Sequence, residues 1–175
     1  DKTDEGKVIL LTSSLPNEGK SLISVNLASI FAISGKKTLL IGYDLRKPSL
    51  HKIFGLNATH GLTSYMVGRY ELDDVLQATE FNNFDVLVAG PVPPNPSELL
   101  GSKYMAVLLK NLREVYDFVI VDAPPVGSVT DATVIAKETD GDILVISQGE
   151  ISYKFEQKVL SDLKVSGCRI LGAVL

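Results

Sequence analysis

A mostly parallel β-sheet covered by helices on both faces is the fold class this sequence predicts, and three observations predict it. Short apolar runs rich in β-forming residues recur along the chain. Segments of helical period separate them, and that alternation is the mark of layered α/β folds. The length, 175 residues, fits one domain able to bury roughly 70% of the surface its unfolded form exposes.

The predicted strands lie near Lys7–Thr12, Thr38–Ile41, Asp85–Ala89, Phe118–Asp122, Asp142–Ser147 and Arg169–Leu175. Between the first two, Leu22, Ile23, Val25, Leu27, Ile30, Phe31 and Ile33 give a helix a broad apolar face, with Gly35 placed to end it. Asn95-Pro96-Ser97-Glu98 reads as an N-cap, a first-turn proline and a glutamate three residues on, so a helix is predicted from there toward Val115. Gly90-Pro91-Val92-Pro93-Pro94 is a rigid connection, too short for a domain linker.

Composition narrows the function classes. The chain is 45% hydrophobic and 22% charged, with 14 Gly and 8 Pro, an ordinary globular balance. Its net charge of -4 and the lack of any basic run longer than Lys36-Lys37 argue against a nucleic-acid partner. No apolar stretch approaches the ~20 residues that span a bilayer. The single cysteine, Cys168, reads as a small buried hydrophobe beside the last strand, which suits a reducing, cytoplasmic compartment.

Three segments carry chemistry. Leu11 to Ser21 follows a predicted buried strand and opens a helix, the context of a phosphate-binding loop. Pro16, Asn17, Glu18, Gly19, Lys20, Ser21 and Leu22 are its phosphate-holding part. Gly19 lets the backbone approach the phosphates, Lys20 neutralises β and γ charge, and Ser21 offers a hydroxyl to Mg²⁺. The general pattern G-x-x-x-x-G-K-[ST] has glycine where this chain has Ser14. Asp122 ends the apolar run Phe118–Val121, on the rim where open α/β sheets bind ligands, and suits Mg²⁺. Asp44 and Arg46, delivered to the same rim after Leu39-Leu40-Ile41, suit a second metal carboxylate or an orienting group and a phosphate-stabilising cation. For each of these the bland alternative is a solvated turn or helix cap.

Taken together these segments resemble the bacterial tyrosine kinase family, cytoplasmic ATP-binding partners of polysaccharide chain-length regulators in capsule and exopolysaccharide export. Thr12-Ser13-Ser14, Pro16 and Glu18-Gly19-Lys20-Ser21 look like the family's Walker A segment, which lacks the first glycine. Asp44-Leu45-Arg46-Lys47-Pro48 resembles Walker A′, Pro93 to Leu100 a family signature, and Val119 to Pro125 Walker B.

The resemblance implies a three-layer P-loop NTPase fold over residues 1–175 as a single kinase domain. It implies ATP and Mg²⁺ as cofactors, and transfer of the γ-phosphoryl group to tyrosine hydroxyls on the tails of neighbouring copies. Lys20, Asp44, Arg46 and Asp122 are then the catalytic residues, and Ser21, Asp44 and Asp122 the metal ligands. The implied partners are a membrane chain-length regulator, fused or separate, further copies in a ring and a cognate tyrosine phosphatase. The implied location is the inner face of the cell membrane.

Departures from the family pattern bear on this. Gly42 stands where Walker A′ has its first carboxylate, so that role is absent or moved to Asp44. The tyrosine-rich tail and the E-x-x-R-x-x-R oligomerisation helix do not occur in the sequence, so the chain reads as cut at both ends. An ATPase of the partitioning or cell-division positioning class, and a nucleotide-gated interaction module, stay open. The first class commonly carries an extra lysine early in the loop, where this chain has Ser13 and Ser14. Tyr65, Tyr70, Tyr104, Tyr116 and Tyr153, with His51 and His60, read as packing or surface residues, and Thr130-Asp131 as a helix start.

Overall fold

The computed structural model describes residues 5–126, 131–149 and 152–175. Their seven strands are β1 (Lys7–Ser13), β2 (Thr38–Gly42), β3 (Gln77–Ala78), β4 (Phe84–Leu87), β5 (Phe118–Asp122), β6 (Gly141–Val145) and β7 (Ile170–Val174). They form one sheet in the order β3-β4-β2-β5-β1-β6-β7, parallel except for the two-residue β3. The six strands predicted from sequence are therefore all present, with ends shifted by up to two residues. Only β3 is unanticipated, being too short to leave a periodic signal.

Two helical layers cover the sheet. On one face lie α1 (Lys20–Ile33) and α2 (Leu50–Phe54), whose Ala28, Ala32 and Leu50 pack on Leu11, Leu40, Val86 and Ile120. On the other lie α3 (Leu62–Met66), α4 (Leu72–Val75), α5 (Pro96–Leu100), α6 (Lys103–Val115) and α7 (Asp131–Ile135), packed on Val8, Leu10, Ile41 and Val121. A last helix, α8 (Tyr153–Val165), joins Leu144 and Cys168 in a smaller cluster through Val159 and Leu163. Central strands sandwiched this way must be apolar on both sides, and β2 is buried at all five positions.

Two predicted helices need correction. In α1 the residues against the sheet are Lys20, Ser24, Ala28 and Ala32, one i, i+4 row, while Leu22, Ile30 and Ile33 are exposed. Small side chains let the helix axis approach the sheet, and the larger aliphatics flank that contact or face outward. The helix predicted from Asn95 to Val115 is two helices, α5 and α6, broken at Gly101, with Ser102 at the N-cap position of the second. The break turns the chain so that Leu100 and Met105 both enter the core. Thr130 lies outside the described residues. Cys168 is buried, as the sequence predicts.

Candidate phosphate- and metal-binding site

The topology opens a crevice at one place. The chain leaves β1 for α1 on one face, while it leaves β5 toward α7 on the other. These strands are neighbours, with Leu11 opposite Asp122. Loops diverging from adjacent parallel strands leave a gap at their C-terminal ends, where such sheets bind ligands.

Into that gap runs the loop Ser14–Gly19. Its conformation is held from within: the Glu18 carboxylate accepts from the backbone N–H of Leu15 at 2.7 Å and of Ser147, beyond β6, at 3.2 Å. Glu18 is 5% exposed, so it fastens the loop and does not line the cleft. Ser14, fully buried, donates to Glu156 of α8 at 2.6 Å. Asn17 and Gly19 have φ of 68° and 81°, and Gly19, leading into Lys20, is where that left-handed geometry is cheap. No side chain caps the N-terminus of α1 and its first turn holds no acidic residue. Its leading N–H groups thus keep their capacity for an anion.

Asp122 is the hub. Its Oδ1 lies 2.5 Å from Lys20 Nζ and 3.2 Å from Ser24 Oγ, and its Oδ2 accepts from Ser21 Oγ at 2.7 Å. Ser49, the residue before α2, donates to Ser21 Oγ at 3.1 Å. Asp44 stands apart from this group: its Oδ1 accepts from the backbone N–H groups of Arg46 at 3.2 Å and Lys47 at 2.9 Å, closing a turn. Arg46 reaches Ser97 of α5, Nη2 to Oγ, at 2.7 Å.

Of these groups Gly19, Lys20, Ser21, Asp44, Arg46, Lys47 and Ser49 border one cleft of about 450 Å³, together with Pro16, Asn17, Leu22, Ile53, Pro124 and Pro125. Asp122, 2% exposed, does not line it and meets it through Lys20 and Ser21. The structure thus brings Pro16, Asn17, Gly19, Lys20, Ser21, Leu22, Asp44 and Arg46 to one cleft, with Asp122 bonded to Lys20 and Ser21 beneath its lining and Glu18 turned away. Sequence reasoning missed Ser24, Ser49 and Ser97. Ser24 had one signal, its place three residues after Ser21 on the same helix. Ser49 and Ser97 had none, since their contacts depend on where two short helices land.

The pair Ser21 and Asp122 offers hard oxygen donors side by side, the chemistry that suits Mg²⁺. Among the described residues no three His, Cys, Asp or Glu side chains gather as a metal cage. A cation here would therefore be shared with a ligand's phosphates, as Mg²⁺ commonly is.

Comparison with known proteins agrees with the geometry. A family model described as an AAA domain matches residues 6–157. The tyrosine-protein kinase YwqD of Bacillus subtilis (strain 168) is 43% identical over 169 residues, spanning 97% of this chain and 71% of that protein. The kinase domain of the Escherichia coli tyrosine kinase ETK superposes with a TM-score of 0.94 at 37% identity, covering 100% of this chain and 68% of that one. The septum site-determining protein MinD of Pyrococcus horikoshii OT3, complexed with Mg-ADP, is more distant, with a TM-score of 0.81 at 26% identity over 97% of this chain and 71% of its own.

Proposed function

This chain belongs to the bacterial tyrosine-kinase family, and on that premise we propose that it is an ATP-dependent protein-tyrosine kinase. It transfers the γ-phosphoryl group of ATP to a tyrosine hydroxyl, releasing ADP. The observation that carries the reading is the meeting of Lys20, Ser21 and Asp122 in the crevice between β1 and β5, with Asp44 and Arg46 on the same cleft.

Each residue has a distinct task. The N–H groups of the loop and of the first turn of α1 hold the phosphates, and the Lys20 ammonium offsets β and γ charge. To reach a phosphate that ammonium must leave Asp122, and a buried carboxylate left unpaired costs about 3–5 kcal/mol. Phosphate binding therefore calls for another cation beside Asp122, which Ser21 and Asp122 would hold, joined by Asp44 from the same cleft. Mg²⁺ held there would supply charge neutralisation to the phosphates. Arg46 stabilises charge on the transferring group. Asp44, whose Oδ1 is engaged with the backbone, orients the phenol and takes its proton late, since a loose transition state needs little base assistance early.

The natural acceptors are tyrosines on neighbouring copies, assembled in a ring beside a membrane chain-length regulator and reset by a tyrosine phosphatase, in capsule or exopolysaccharide export. The site is cytoplasmic, held at the membrane through that partner. No helix among the described residues is long and apolar enough to cross a bilayer.

The MinD likeness favours one second reading, an ATPase switch. The extra loop lysine common in that class has no counterpart here: Ser14 is buried against Glu156, and Ser13 bonds to the Leu15 carbonyl. Incubating the chain with γ-labelled ATP and Mg²⁺, with and without a glutamate–tyrosine copolymer, separates the readings. Label on tyrosine supports the kinase, label in free phosphate alone supports the switch, and intact ATP supports a binding module.

A further inference from the structure

The segment Pro93 to Leu100 stands out in the sequence but supplies no group to the cleft. We infer that its Ser97 is a positioning residue for phosphoryl transfer, fixing the guanidinium of Arg46 at the cleft rim. The inference rests on the reading of Arg46 as the cation that stabilises the transferring phosphoryl group.

The geometry is that of a bracket. Tyr43, fully buried, is held at its backbone by the Asp122 carbonyl at 3.0 Å and at its hydroxyl by the Leu100 carbonyl at 3.2 Å. Leu100 is itself 2% exposed in the core, so α5 is anchored at its C-terminal end. At the other end, Pro96 opens the helix and Asn95 bonds Glu98 across its first turn. Ser97 lies between these anchors, 2.7 Å from Arg46 Nη2. The backbone of Arg46 is fixed by Asp44. The stretch Tyr43–Arg46 is thus tied to the sheet at one end and to α5 at the other, and α5 is tied to Tyr43.

Arg46 borders the cleft and Ser97 does not, so Ser97 acts on the cleft through Arg46. A guanidinium on a long flexible stem loses much of its value to transition-state stabilisation if it must be ordered at the moment of reaction. Ordering it beforehand removes that cost from the barrier.

The test is a mutant cycle on the whole chain, with the glutamate–tyrosine copolymer as acceptor and ATP affinity measured separately. Ser97→Ala is expected to lower kcat roughly three- to tenfold, the worth of one hydrogen bond, with KM for the copolymer and ATP affinity unchanged. Ser97→Thr, which keeps the hydroxyl, restores kcat, and Ser97→Ala has no further effect in an Arg46→Ala background. An unchanged kcat in Ser97→Ala, an equal loss in the Arg46→Ala background, or a rise in kcat, meaning that the bond restrains Arg46, overturns the inference. If Arg46→Ala itself transfers at the wild-type rate, the role given to Arg46 falls and this inference with it. If Arg46→Ala is slow and Ser97→Ala is not, only this inference falls.

Discussion

Lys20 and Asp122 form a buried ion pair across the crevice, Nζ to Oδ1 at 2.5 Å, with side chains 9% and 2% exposed. They come from different elements, the first residue of α1 and the last of β5, so the pair ties the end of the loop before α1 to the centre of the sheet. Each charge is thereby balanced by the other. A ligand that takes one must provide for the other.

The loop's own rigidity rests on Glu18. Glu18→Ala removes the acceptor for the N–H groups of Leu15 and Ser147 and should cost about 1–3 kcal/mol of stability. ATP affinity should fall with it, because the loop loses its fixed shape. Chemical denaturation together with an ATP titration checks this. A variant as stable as wild type would mean that the carboxylate does not hold the loop.

Asp44→Asn separates the turn from the charge. The amide oxygen still accepts from Arg46 and Lys47, so the thermal midpoint should stay close to that of wild type. Phosphotyrosine formation should fall by at least ~10²-fold, the lower end of what a positioned base supplies. If the variant phosphorylates the copolymer at the wild-type rate, Asp44 neither holds metal nor takes the proton.

Gly42 is opposite Asp122 in the sheet register, and a side chain there would start 3.2 Å from the Ala89 nitrogen and 3.4 Å from Leu50 Cδ1. Gly42→Asp is therefore expected to lose about 1 kcal/mol or more through crowding. It should raise phosphotyrosine formation by up to ~10²-fold, with ATP affinity little changed. Rates measured beside denaturation curves decide the point, and a folded variant with no gain in rate would remove the need for a carboxylate at that place.

Asp142 gives a pH signature away from the cleft. Burial holds its carboxyl above the ordinary 3.8, outweighing the hydrogen bonds from Thr139 and from the backbone of Arg169. The fold favours the protonated form. The contribution to stability is thus fully present below 3.8 and is lost as pH rises through the raised value. Asp142→Asn should gain stability relative to wild type at pH 8, and that advantage should shrink at pH 4. Melting curves at the two pH values check it, and a difference independent of pH would contradict it. The neighbouring Cys168 thiol, pushed up to about 11 by burial and then by Asp142, stays protonated throughout.

Much of this was legible in the sequence, for identifiable reasons. Strands buried on both faces leave unbroken apolar runs, so β1, β2 and β5 announced themselves, and with them the rim on which Lys20, Asp44 and Asp122 sit. What stayed hidden depended on long-range placement. Nothing local marks Ser14 as a partner of Glu156, 142 residues away, or Ser97 as a partner of Arg46. The outward turn of Leu22, Ile30 and Ile33 leaves no mark in the sequence, because helical period cannot tell a face packed through alanines from one packed through leucines. Glu18 looked like a phosphate-loop residue from its position, and only its burial reveals a fastener.

That phosphate and metal binding are one linked event at the Lys20–Asp122 pair is tested most directly by calorimetry of ATP binding, with Mg²⁺ and with EDTA, to wild type and Lys20→Met. Wild type should bind ATP much more tightly with Mg²⁺ than with EDTA, because only a second cation frees the ammonium from Asp122. Lys20→Met should bind weakly in both conditions. Equal affinity of wild type with and without Mg²⁺, or unchanged affinity in Lys20→Met, would contradict the site.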